Sequence, residues 1–130
     1  DNGSRFEALD SPYDGSFFGV QGSSAGELLA FGLRGNAYWS GDQGVSWRRI
    51  ETGLEVALSA GTRSPDGALI LASQAGDLLL SLDRGRSLRH LKGPTGTSIA
   101  GLVAAPDGSL IGVGLSGVTR LKHDLYSAQR

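Results

Sequence analysis

A gap-free internal repeat of 41 residues constrains this chain more than any other feature. The stretch "SPDGALILASQAGDLLLSLDRGRSL", residues 64–88, returns as "APDGSLIGVGLSGVTRLKHDLYS", residues 105–127. Pro65, Asp66, Gly67, Leu69 and Gly76 fall on Pro106, Asp107, Gly108, Leu110 and Gly117. In the other direction, Gly26, Leu28, Gly35, Ser40, Asp42, Gly44 and Trp47 fall on Gly67, Leu69, Gly76, Ser81, Asp83, Gly85 and Leu88. One more step sets Asp42, Gly44 and Trp47 on Asp1, Gly3 and Phe6. In the last copy Asp124 holds the register, while Tyr126 stands where the glycine would be. A period near 40 means that one supersecondary unit is built several times, each copy burying its apolar faces on its neighbours.

Each period holds four short apolar segments, in the middle copy about 56–62, 68–74, 77–81 and 86–91. They are too short for helices and show no 3.6-residue period. Turn signals separate them. "SPDG" is one: proline suits its second position, aspartate bonds its own backbone and glycine accepts a positive φ. Glycine stands at 21 of 130 against a usual ~7%, with only 4 prolines, which suits many tight turns between strands. The second segments, such as Leu69-Ile70-Leu71-Ala72, are continuously apolar, as strands covered on both faces are. The first segments carry small residues, Ser59-Ala60-Gly61 and Ala100-Gly101, which fit the crowded centre of a radial array.

The expected fold is therefore all-β: a β-propeller of four-stranded antiparallel blades, one domain over 1–130. The repeats are expected at about 15–55, 56–96 and 97–130, with 1–14 as the outer strand of a preceding blade. With strands a to d counted outward from the centre, the chain reads d-abcd-abcd-abc, three blades' worth of strands. Closed propellers hold about four to eight blades. Two arrangements meet that count. Either the chain is part of a longer propeller cut inside a repeat motif, or two chains pair into a six-bladed ring. In the ring, each N-terminal strand completes the partner's last blade.

The densest motif is "SGDQGVSW", Ser-x-Asp-x-Gly-x-x-Trp over Ser40, Asp42, Gly44 and Trp47. It returns as "SLDRGRSL" over Ser81, Asp83, Gly85 and Leu88, and as "DNGSRF" over Asp1, Gly3 and Phe6. A tight hairpin leaves backbone N–H groups without ladder partners, and an aspartate can accept from them. The serine can bond across the turn, the glycine supplies a conformation other residues resist, and Trp47 is expected to wedge between sheets. A calcium loop is the competing chemistry for Asp-x-x-Gly. Calcium takes about six to eight oxygens, and "GDQGVS" offers one carboxylate.

This motif resembles the Asp box of the BNR (bacterial neuraminidase-type) repeat family, at the right spacing along nearly the whole chain. The resemblance implies a propeller in which the box lies between the third and fourth strands of a blade and is structural. Among non-catalytic relatives the chain is similar to Asp-box propellers of the photosystem II assembly-factor type. That implies a periplasmic or secreted protein accompanying a membrane complex. BNR repeats also occur in sialidases, whose chemistry would need an arginine cluster, a tyrosine nucleophile and an acid. Arg34, Arg63 and Tyr38 are present but carry no family motif beyond the box.

Other chemistry finds little support. The chain has 12 Lys+Arg against 13 Asp+Glu, net charge -1, which gives no electrostatic case for nucleic acid or an anionic membrane. No apolar run approaches the ~20 residues of a membrane helix. Cysteine is absent, and His90 and His123 stand apart from any metal-ligand pattern, so neither a metal nor another cofactor is expected. His90 falls in a fourth strand, on the outer edge. No nucleophile-elbow sequence occurs. Glycoside hydrolysis needs two facing carboxylates. Glu27, Asp66 and Asp107 are read as making equivalent hairpin turns, which leaves Glu51 and Glu55 as the best-placed pair. The reading is a non-catalytic binding or scaffold module for a protein partner; a glycan-binding or sialidase-like glycoside hydrolase fragment is the alternative. Inter-blade loops (10–15, 51–55, 92–97) and second-to-third-strand turns (34–36, 75–77, 116–118) should share one face. Arg34, Asn36, Glu51, Glu55 and Asp77 are the candidate contacts there, with the Asp boxes on the opposite face.

Overall fold

Eleven strands and a single turn of 3-10 helix account for the regular structure in the computed structural model, which describes residues 8–22, 26–91, 98–115 and 117–121. The first sheet holds β1 (Phe17–Gly22), β2 (Leu28–Gly32), β3 (Ala37–Ser40) and β4 (Arg48–Ile50), in that order and antiparallel. The second repeats it with β5 (Leu58–Arg63), β6 (Leu69–Ser73), β7 (Leu78–Ser81) and β8 (Arg89–His90). The third holds β9 (Gly101–Ala104), β10 (Leu110–Gly114) and β11 (Gly117–Leu121). The four segments of the middle repeat thus form the four strands of one blade, though the outermost is only two residues long. Among the described residues preceding β1 there is no strand: Ala8 and Leu9, the counterparts of Arg49 and Ile50, are irregular, and residues 1–7 lie outside the described residues.

The repeat extends to irregularities of pairing. The innermost strand of the first blade bulges between Phe17 and Gly19, and that of the second between Leu58 and Ala60, 41 residues on. A bulge bends a strand and sharpens its twist, and here it does so at the same point of successive blades. Adjacent innermost strands are tied by side chains. Gln21 donates to the Gly61 carbonyl at 2.9 Å, Arg63 to the Gly22 carbonyl at 3.1 Å, and the Ala104 N–H to Thr62 Oγ1 at 3.1 Å. Ser59 Oγ donates to the Ile99 carbonyl.

The core lies between blades. Leu29, Phe31 and Ala37 of the first blade meet Leu58, Leu69, Leu71 and Leu79 of the second. Ile70, Ala72, Leu78 and Leu80, on the second blade's other face, meet Leu102 and Leu110 of the third. This explains the continuously apolar β6: Leu69 and Leu71 face one neighbour, Ile70 and Ala72 the other. Small inner residues are required by packing. The Phe31 ring lies over Gly19 and Gly61, and a Cβ on either would sit 2.4 Å or 2.8 Å from its Cζ.

One departure from the repeat register appears in the third blade. Leu69 pairs with Ser81, so strict repetition would pair Leu110 with residue 122; it pairs with Leu121 instead. The strands close through a tighter connection between Gly114 and Gly117, one residue shorter in register than that between β6 and β7. A one-residue slip exchanges the faces of a strand. Val118 is accordingly 75% exposed.

Candidate functional site

The 34–36 turn is built by backbone geometry. Arg34 adopts a left-handed conformation (φ 56°) inside the short 3-10 turn Leu33–Gly35, which projects its side chain into solvent. Asn36 closes the turn: its N–H and its Nδ2 both donate to the Leu33 carbonyl, at 3.0 and 2.9 Å. Thr52 then pins the following loop to this turn. Its Oγ1 donates to the Gly35 carbonyl at 2.7 Å and accepts from the Leu54 N–H at 3.2 Å. Glu51 takes the Gly53 N–H at 3.3 Å.

The outcome is a groove of about 700 Å³ lined by Arg34, Asn36, Arg49, Glu51, Gly53, Leu54 and Glu55. Four of the five expected contact residues therefore converge in the first blade, joined by Arg49. Among the described residues, no carboxylate lies within ion-pair distance of Arg34 or Arg49. Asp77 does not join them. It lies in the second blade, accepting from Ser73 Oγ at 2.9 Å and pairing with His90 Nε2 at 3.1 Å. Of the other loops expected on this face, 92–97 and Ser116 lie outside the described residues.

The motif turns lie at the opposite end of β3 and β7. In the first, Ser40 Oγ donates to Asp42 Oδ1 at 2.8 Å and accepts from the Gly44 N–H at 2.8 Å. Asp42 Oδ1 also takes the Ser46 N–H at 2.8 Å, and Oδ2 takes the Ser46 hydroxyl at 2.6 Å. The second turn is congruent. Ser81 Oγ bonds Asp83 Oδ1 and the Gly85 N–H at 2.8 Å each, and Asp83 accepts the Ser87 N–H and hydroxyl at 2.9 and 2.6 Å. Gln43-Gly44 and Arg84-Gly85 each place two successive residues at positive φ, as a tight hairpin turn of the I′ kind demands. Asp1, Gly3 and Phe6 lie outside the described residues.

These bonds set the acidity of the carboxylates. The Ser46 hydroxyl and N–H, with Ser40, hold Asp42 down at about 2 from an ordinary 3.8. At Asp83, burial pushes upward, but the hydrogen bonds from Ser87 and Ser81 outweigh it and the carboxyl is lowered. In each turn two serine hydroxyls and one serine N–H are spent on the aspartate. Among the described residues no group of three or more His, Cys, Asp or Glu is placed to hold a metal.

One expectation about a single residue is corrected, that for Glu27. Trp47 donates from Nε1 to the Gly44 carbonyl at 3.1 Å and borders an open groove on the first blade. Its counterpart Leu88 does pack between blades. Glu27 is no turn residue. It is 5% exposed at the foot of β2, where Oε2 accepts from Trp39 Nε1 at 3.1 Å and its carboxylate pairs with Arg84 at 3.2 Å and Arg86 at 3.4 Å. Arg48 and Arg86 stack over the Trp39 ring at 5.0 and 5.6 Å. Glu27 thus locks the first blade onto the motif turn of the second. In sequence, Glu27 replaces the Ala68 and Ser109 of the other repeats, the one signal of a distinct role.

No protein-family model and no curated protein matches the chain. Solved structures do. YCF48 from Cyanidioschyzon merolae superposes with a TM-score of 0.72 at 17% identity, over 88% of this chain and 36% of that one. YCF48 bound to D1 peptide gives 0.62 at 19% identity, over 95% and 41%. Virginiamycin B lyase from Staphylococcus aureus gives 0.65 at 18% identity, over 88% and 44%. The chain spans less than half the length of each of these structures. Likeness at such identities speaks for architecture: the three sheets are blades of a β-propeller.

Proposed function

We propose that this chain is a non-catalytic propeller module that binds a protein partner through the first-blade groove. The observation that carries the reading is the convergence of Arg34, Asn36, Arg49, Glu51 and Glu55 on one open, polar groove. Guanidinium and carboxylate groups of both signs within one groove suit a polypeptide, which presents backbone amides and charges of both signs. Among the described residues no aromatic ring lines the groove, so these offer a sugar no flat apolar face. The structural likeness to YCF48 bound to D1 peptide supports the same reading. By the Asp-box resemblance the partner belongs to a membrane complex, and the protein works in the periplasm or outside the cell.

The glycan or glycoside hydrolase reading has one observation in its favour, that Glu51 and Glu55 line the same groove. Against it, Glu51 is engaged by the Gly53 N–H as part of the loop. Affinity capture from membrane extract, comparing the wild type with Arg34→Ala/Arg49→Ala, tests the proposal. A partner retained by the wild type and lost at least tenfold in the double variant supports it. Turnover of a sialoside or xyloglucan-type substrate that disappears in Glu51→Gln or Glu55→Gln would replace it with the enzymatic reading.

A further inference from the structure

The seam between the first and second blades carries a charged cluster at its motif-turn end, and joining blades does not by itself call for one. Trp39 and Glu27 correspond to Leu80 and Ala68, which pack in the apolar seam between the second and third blades. Arg84 and Arg86 correspond to Gln43 and Val45. Four positions therefore depart from the repeat, and the four meet in space. Glu27 accepts from Trp39 and pairs with both arginines, and Arg86 lies over the Trp39 ring.

The indole is fixed on three sides. Its Nε1 is held by Glu27, a Cβ on Gly41 would stand 2.5 Å from its Cη2, and one on Gly85 would stand 3.3 Å from its Cδ1. Arg48, from β4, lies over the same ring as Arg86, at 5.0 Å against 5.6 Å. Contact with a ring face holds a guanidinium in place while its in-plane N–H donors stay free. Glu27 is met by Nη1 of Arg84 and Nε of Arg86, which leaves the two Nη groups of Arg86 turned to other use. Among the described residues no carboxylate lies within ion-pair distance of Arg48, and Asp42 and Asp83 in the flanking turns are committed to serines. Three exposed guanidiniums thus surround one buried carboxylate, an excess of two positive charges.

We propose that this seam binds a phosphate monoester, with Arg48 and Arg86 as its two donor forks and Arg84 as the third cation. A phosphate dianion neutralises the excess charge, which a single carboxylate does not. Planar guanidinium forks match phosphate oxygens in bidentate geometry. Glu27 is the positioning residue, since it orients Arg84, Arg86 and the indole without touching the ligand. The phosphate is carried either by a soluble molecule or by a lipid headgroup. The seam lies at the opposite end of the strands from the first-blade groove, so binding here is independent of the partner proposed there.

Titration with methyl phosphate at constant ionic strength tests this, read by the emission of Trp39 in a Trp47→Phe background. The expected result is a saturable change, with affinity about tenfold lower in Arg48→Gln and in Arg86→Gln. Arg48→Gln alters an exposed strand residue and should keep the fold, which circular dichroism checks. Methyl sulfate has the same shape and one charge less, and should bind more weakly. As pH falls through about 6 the phosphate loses its second charge while arginine keeps its own, so its affinity should fall toward that of methyl sulfate. Sedimentation with phosphatidylcholine vesicles, with and without phosphatidic acid, identifies the carrier. Retention on phosphatidic acid that methyl phosphate competes away supports the site with a lipid headgroup; methyl phosphate binding without retention supports it with a soluble phosphate. The absence of any saturable response to methyl phosphate overturns the proposal, as does an equal response in the wild type and Arg48→Gln, or methyl sulfate binding as tightly. A polyglutamate peptide bound at the seam more tightly than methyl phosphate would assign it to an acidic polypeptide and overturn the proposal too.

Discussion

Replacing Glu27 with alanine should weaken the joint between the first two blades more than any surface change of the same size. Its carboxylate is 6% exposed and holds Trp39 Nε1 at 3.1 Å. Removing the acceptor leaves a part-buried indole N–H unsatisfied, about 1–3 kcal/mol. The ion pairs add less. Arg84 and Arg86 are 59% and 50% exposed and rehydrate when released, so about 0.2–1 kcal/mol each is appropriate. Together these give a loss of about 1.5–5 kcal/mol for Glu27→Ala, centred near ~3. Glu27→Gln keeps the shape and an acceptor for Trp39 but drops the charge, and should lose only about 1 kcal/mol. Urea unfolding followed by tryptophan fluorescence measures both. With a slope near 1–3 kcal/mol/M, the alanine midpoint should fall by about 1 M with the slope unchanged. In 1 M salt, where screening acts within about 3 Å, the glutamine variant should approach the wild type. Equal losses in the two variants, or an alanine loss under about 0.5 kcal/mol against the 1–3 expected of an unsatisfied donor, would refute the latch.

Three further outcomes are expected. Asp42 is lowered to about 2 from 3.8, so its stabilising contribution is complete above pH 3.8 and is lost as pH falls through about 2; an acid titration of stability should be flatter over that window in Asp42→Asn than in the wild type. Ser81 is 1% exposed and takes the Gly85 N–H, so Ser81→Ala should cost about 1–3 kcal/mol in thermal or denaturant unfolding. A Cβ at Gly35 would stand 2.1 Å from the Leu54 carbonyl oxygen, so Gly35→Ala should displace the 51–55 loop and weaken partner capture while far-ultraviolet dichroism stays near wild type.

The architecture was legible because repetition multiplies weak signals. A short run such as Leu69-Ile70-Leu71-Ala72 does not by itself distinguish strand from buried helix, but its recurrence with turn residues at fixed offsets does. The groove was legible in four residues, since loops joining successive strands at one end of a blade must gather there. Arg49 was not, because it sits in a strand and reaches the groove only by the alternation of side chains across β4. Asp77 was placed with the groove by its repeat position, yet blades diverge outward and its own neighbours, Ser73 and His90, claim it. Ser46 and Ser87 follow the motif glycine by two residues in both turns and went unread, because serine in a loop is common and only the paired bonds to Asp42 and Asp83 give it meaning. Glu27 was hidden by that same reasoning from repeats. The equivalence that located the strands of the three blades masked a position where a repeat departs from its neighbours to make a contact between blades.

Site-specific photocrosslinking tests the proposed function most directly. A photoreactive side chain placed at Asn36 reports on the groove, and one at Val45, 76% exposed in the opposite motif turn, is its control. In membrane extract, the account predicts a discrete protein adduct from position 36, abolished by Arg34→Ala/Arg49→Ala, and none from position 45. An adduct from position 45 alone, or no protein adduct from either while a glycan array binds the wild type, would contradict it.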